Sequence, residues 1–119
     1  MQFDKDMSGD LSEIFIKARD IVLSYKDIKE LKNEKQTSYS DSYGVIVMMR
    51  TKGDMFVLSF GKGAKLQDEF PHLSGDGKIV RHWNLYSKKD LDEKILREIL
   101  DESIILGIEY DELKKLRRK

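Results

Sequence analysis

The residues best placed to do chemistry in this 119-residue chain lie between Gly61 and Trp83. Lys78, Arg81, His82 and Trp83 follow a Gly75-Asp76-Gly77 turn. A guanidinium there can fork onto a carboxylate or phosphate, an imidazole can donate to the same anion or titrate near neutrality, and an indole offers a stacking face. Upstream, Gly61-Lys62-Gly63 has the composition of a loop whose backbone amides cradle anions. The Gly-Lys-Ser/Thr ending of a Walker loop is missing, and a strand-exit turn that needs positive φ is the bland explanation of these glycines. Lys62, Gly63, Lys78, Arg81, His82 and Trp83 are therefore the candidate ligand-binding residues, for a small anionic ligand or a protein partner. The competing explanation pairs Arg81 with an acid on a helix and leaves His82 half exposed on an open sheet face.

Other chemistries lack their residues. With no Cys, the chain has no disulfide, thiolate zinc site, thiol nucleophile or haem attachment, and the reducing cytoplasm is the expected location. Two histidines and no Gly-x-Ser-x-Gly turn leave no local signature of a catalytic triad. The expectation is a protein that is not an enzyme, with no catalytic residue assigned; a small enzyme acting through His82 is the weaker alternative. Carboxylates such as Asp10, Glu13, Asp20, Asp101 and Glu102 suit hard cations, but their spacing has neither the alternation of a calcium loop nor a His-x-x-Glu pair, so no metal ligand is assigned.

Charge narrows the partners. The 22 basic and 22 acidic side chains cancel, so no broad positive field exists to hold a nucleic acid, and none is expected. The run Lys114, Lys115, Arg117, Arg118 and Lys119 fits a last helical turn whose cations complement the helix dipole. The first ten residues lack the basic stretch and apolar run of a signal peptide, and no segment approaches the roughly 20 apolar residues of a membrane span. No membrane partner is expected, and the oligomeric state is not legible.

The elements that must position the candidates follow from periodicity. Leu11, Ile14, Phe15, Ala18, Ile21 and Val22 recur at helical spacing and predict a helix over about 11–26, opened by an Asp10/Glu13 capping box. The charged stretch 27–35 reads as a connecting loop. Residues 36–40 suit an edge strand, 43–50 form a β-branched strand, and Thr51 to Asp54 turn the chain into a second arm. In that arm Phe56, Leu58 and Phe60 share the face expected to point into the core. A further strand is predicted over 78–86, with Ile79, Arg81, Trp83 and Leu85 on one face and Val80, His82, Asn84 and Tyr86 on the other. Leu91, Ile95, Leu96, Ile99, Leu100 and Ile104 then predict a helix begun by Asp90 and Glu93, ended at Gly107 and followed by a short extra helix over about 109–118. One α+β domain over 1–119 results, an antiparallel sheet of about four to five strands packed on one face by an N-terminal and a C-terminal helix.

The stretch from Phe60 to Leu91 resembles the YdhG-like family, a domain of unknown function. The residues that carry the likeness are Phe60, Gly63, Leu66 and Asp68, then Leu73, Gly75, Gly77, Lys78, Arg81, His82 and Leu85, and the Asp90-Leu91-Asp92 opening of the long helix. With the N-terminal helix it covers roughly 11–106 and is strongest over 60–92. Where many members carry a proline in a tyrosine-containing turn, this chain has Ser38-Tyr39-Ser40-Asp41. The resemblance implies a cytoplasmic α+β protein of frataxin-like arrangement. Through relatives described as iron chaperones, it also implies iron carriage as the alternative to anion binding, with acids of the first helix as the carriers.

Overall fold

The computed structural model describes residues 1–117, so the last two cations of the terminal basic run, Arg118 and Lys119, lie outside the described residues. The order of elements is α1 (Gln2–Ser8), α2 (Ser12–Leu23), β1 (Lys29–Lys32), β2 (Thr37–Asp41), β3 (Gly44–Lys52), β4 (Met55–Phe60), α3 (Gly63–Leu66), β5 (Arg81–Leu85) and α4 (Glu93–Arg117). The five strands form one sheet in sequence order, every neighbour antiparallel. The expected α+β class is what the chain adopts.

Register shows which side chains meet the helices. Val47 faces Phe60, Met49 faces Leu58 and Thr51 faces Phe56, while across the next seam Phe56 faces Leu85, Leu58 faces Trp83 and Phe60 faces Arg81. Strand alternation puts all of these on one side. Over them lie Ile14, Phe15, Ala18 and Val22 of α2 and Leu96, Ile99 and Leu100 of α4, each at most 2% exposed. Phe56, Leu58 and Phe60 are themselves fully buried, as their alternation predicts. Each such aromatic or leucine side chain taken from water stabilises the fold by about 1.5–3 kcal/mol. Between the helices, the Lys17 ammonium donates to the Leu91 carbonyl at 2.7 Å and the Tyr25 hydroxyl to Asp101 Oδ1 at 2.7 Å.

Several boundaries depart from the periodicity. The first ten residues, where periodicity predicts no element, contain α1, whose Phe3 packs edge-on against Phe15 with ring centroids 5.5 Å apart. The Asp10/Glu13 capping box is not formed; Leu11 occupies the N-cap of α2. The charged stretch expected as loop carries β1, so β2 is an inner strand with the edge one strand further out. Asp90 accepts from the Tyr86 and Ser87 amides and closes a 3-10 turn over Lys88–Asp90, leaving Asp92 to accept from the Ile95 amide at the start of α4.

The largest correction concerns Gly107. The predicted stop and separate helix over 109–118 give way to a single helix of 25 residues. A glycine inside a helix costs about 1 kcal/mol relative to alanine, so its presence needs a local reason. That reason is space: a Cβ on Gly107 would lie 3.2 Å from Tyr43 Cβ and 3.7 Å from the Lys62 Nζ. Helix α4 therefore passes close over the β2–β3 turn with its backbone bare, and past this point no described residue of it is buried.

Candidate ligand pocket

The site is assembled where β4 leaves the sheet. Between β2 and β3 the register shifts after Tyr39, so Ser40 faces Val45 and Ile46 is the extra residue of a bulge. The Ile46 carbonyl accepts the Gly61 amide at 3.0 Å, and a Cβ on Gly61 would lie 2.6 Å from the Val45 carbonyl oxygen. Gly63 is equally constrained, since a Cβ there would come within 2.6 Å of the Arg81 amide nitrogen. Neither has positive φ; among described residues that conformation belongs to Gly44, Gly53 and Gly75. The strand-exit turn thus uses glycine for close approach and not for a left-handed backbone.

The same geometry occupies amides that a cradle at the start of α3 would use. The Ala64 amide, which would face an anion at the start of α3, donates to the Ile79 carbonyl at 2.9 Å, and the Lys65 amide donates to the Lys62 carbonyl at 3.1 Å. Gly63 is buried beneath β5 and cannot touch a ligand in the role first assigned to it. The cationic groups this corner offers an anion are side-chain ammoniums.

Lys62 and Lys78 are brought together. With Lys65 they border a pocket of about 370 Å³ whose apolar walls are Tyr43, Ile79, Leu106 and Tyr110 and whose floor is Gly107. No carboxylate is among its lining residues, and among the described residues none of the three lysines is in an ion pair. The Lys65 ammonium lies 5.8 Å from the centre of the Tyr110 ring, and Lys114 lies 5.4 Å from it on the same side chain. Helix α4 supplies one wall because it continues through Gly107. Tyr43, Lys65 and Tyr110 were not singled out as site residues from sequence, and the apolar stripe of the last helix was the only signal that could have found Tyr110.

The other three candidates lie elsewhere. Among the described residues Arg81 pairs with no acid: its Nε donates to Gln67 Oε1 at 2.7 Å and its Nη1 to the carbonyls of Gly77 and Val80, which folds the 67–80 loop back onto β5. It holds the loop that presents Lys78 and does not itself border the pocket. Trp83 is 4% exposed, inside the core with its ring 5.2 Å from that of His72, so the stacking face expected of it is covered. His82 is half-buried on the open side of the sheet, opposite Ser59, with Nδ1 2.8 Å from the Ser59 Oγ. Ser74 bridges it from the outer side, exchanging both backbone hydrogen bonds at 2.8 and 2.9 Å. A serine beside an imidazole suggests a nucleophile, but the pair follows directly from strand register.

A second, more open cleft lies where α4 faces the turn after α3, lined by Glu69, Phe70, Glu98, Asp101 and Glu102. Asp101 is already engaged there by Tyr25, whose hydroxyl is pushed up to about 12 by burial and by its bond to that carboxylate. Among the described residues no group of three or more His, Asp or Glu side chains is arranged to hold a metal ion. No helix among them is long and apolar enough to cross a membrane. Comparison of the chain with family models, with curated proteins and with solved structures finds no match in any of the three.

Proposed function

We propose that this chain is a non-enzymatic binding domain for a small organic anion, held in the pocket between α3, the 78–79 segment and α4. The observation that carries the reading is the convergence of Lys62, Lys65 and Lys78 on one apolar-walled cavity without a carboxylate among its lining residues. Ligand pockets of this kind are mostly apolar with a few placed polar groups that fix orientation, and unpaired ammonium groups select an anion. Gly63 and Arg81 build and brace this corner and Lys78 is presented by it. Iron carriage by Asp10, Glu13 and Asp20 rests on the resemblance alone. Catalysis through His82 would need oxyanion donors beside Ser59, and strand amides there are engaged in the ladder.

Calorimetric titration of the full chain with a panel of organic carboxylates and phosphates tests the proposal. Binding of at least one class, lost in the Lys62→Ala/Lys78→Ala double variant and weakened by salt, is the expected result. No binding by any member, or binding indifferent to both lysines, would overturn it.

A further inference from the structure

We infer that the pocket selects a dianion carried on a planar ring, a phosphate monoester of an aromatic or heteroaromatic group, and that Gly107 sets the depth to which it enters. This rests on the anion-binding reading above and goes further in naming the ligand's chemistry and the residue that shapes its seat.

Charge comes first. Three ammonium groups with no acid among the lining residues are better neutralised by a phosphate monoester, which carries about −1.5 to −2 at pH 7, than by a single carboxylate. Because the amides of Ala64 and Lys65 are already used, flexible point charges are the main holders of the anion.

Size and walls give the rest. At about 370 Å³ the cavity stands near the lower end of ligand pockets, which run from roughly 300 to 1,000 Å³, and suits one ring with its anionic group. Tyr43 and Ile79 border it while remaining 43% and 65% exposed, an apolar surface at the mouth for a ring to cover. The floor is the bare backbone of α4. A methyl group at position 107 would touch the Lys62 ammonium and the Tyr43 side chain together, the cation and the ring that the ligand must reach.

The test uses the full chain at fixed low ionic strength, titrated with phenyl phosphate, benzoate and inorganic phosphate and followed by calorimetry and amide chemical shifts. Phenyl phosphate is expected to bind about tenfold or more tighter than either of the others, since each lacks one of the two features. Gly107→Ala is expected to keep its thermal midpoint and lose binding by about tenfold, the helix gaining propensity while the seat fills. Tyr43→Ala, at a half-exposed position, is expected to abolish the advantage of phenyl phosphate over inorganic phosphate, and it decides the case if Gly107→Ala unfolds. Equal binding of benzoate and phenyl phosphate, or an unchanged advantage in Tyr43→Ala, would overturn the inference and leave anion binding standing. Unchanged affinity in a folded Gly107→Ala would overturn the assignment of the floor. No binding of any of the three by the wild-type chain would overturn this inference, while the wider panel decides the parent reading.

Discussion

The Arg19 guanidinium grips both oxygens of Glu30, Nε to Oε2 at 2.6 Å and Nη2 to Oε1 at 3.1 Å, tying α2 to the edge strand β1. The buried Tyr39 hydroxyl donates to the same Oε2 at 2.8 Å. Burial pushes the Glu30 carboxyl upward, but the hydrogen bonds from Arg19 and Tyr39 outweigh it and hold it below the usual carboxylate range. Tyr39 is raised in turn, by burial and then by its bond to Glu30.

A depressed carboxylate contributes stability that is complete above its unfolded value, about 4.3 for Glu, and is lost as pH falls through the folded one. Glu30→Gln is therefore expected to cost about 1–3 kcal/mol at pH 7, where charged hydrogen bonds are broken. Urea unfolding at pH 7 and pH 3 checks it. The gap between wild type and variant should narrow at the lower pH, and a gap that stays constant would contradict the network.

Arg81→Ala should loosen the loop that carries Lys78 without emptying the core. Its guanidinium donates to Gln67 and to the Gly77 and Val80 carbonyls, so amide exchange over 74–80 is expected to rise while strands β2 to β4 stay protected. Arg81→Lys keeps the charge but not the fork and should behave like alanine. Protection unchanged in both variants would show that the loop stands without the clasp.

Two glycine substitutions should separate packing from ligand geometry. Gly63→Ala places a methyl group against the β5 backbone, where nothing flexible can yield, and overpacking of this kind costs about 1–3 kcal/mol. Gly107→Ala meets side chains at 3.2 Å or more and should leave stability near wild type. Thermal melts of the pair, run side by side, decide whether the distinction holds.

Trp83 is the sole tryptophan and is 4% exposed, so its fluorescence reports the core directly. Emission of the native chain should be blue-shifted and poorly quenched by iodide. Trp83→Ala should cost about 3–5 kcal/mol, as large-to-small core changes do. Red-shifted, readily quenched native emission would place the indole at the surface and contradict the register of β4 with β5.

The parts of the fold that periodicity reveals are those whose apolar residues mark a buried face: α2 by Ile14, Phe15, Ala18 and Val22, β4 by Phe56, Leu58 and Phe60. Strand β1 is hidden because Lys29-Glu30-Leu31-Lys32 carries an edge strand's charges, and its Glu30 is held by Arg19, 11 residues earlier, and by Tyr39, nine residues later. Gly107 imitates a helix stop because sequence displays the residue and not the Tyr43 packed close against it. For the site, Lys62 and Lys78 were legible as cations beside glycine turns. Arg81, His82 and Trp83 are contiguous in the chain, but alternation along β5 sends Trp83 inward and His82 outward, while Arg81 is spent on its own loop.

The plain succession of the sheet, each strand beside the one made just before it, has a consequence for birth on the ribosome. Four ribbons can zip as they emerge, with only short closures between them, and the fifth joins after the 61–80 excursion. Their greasy side nevertheless stays half roofed until Leu96, Ile99 and Leu100 have been synthesised. A nascent chain stalled before α4 would present a finished sheet with an uncovered interior, the form most exposed to chaperone capture and to clumping with its neighbours.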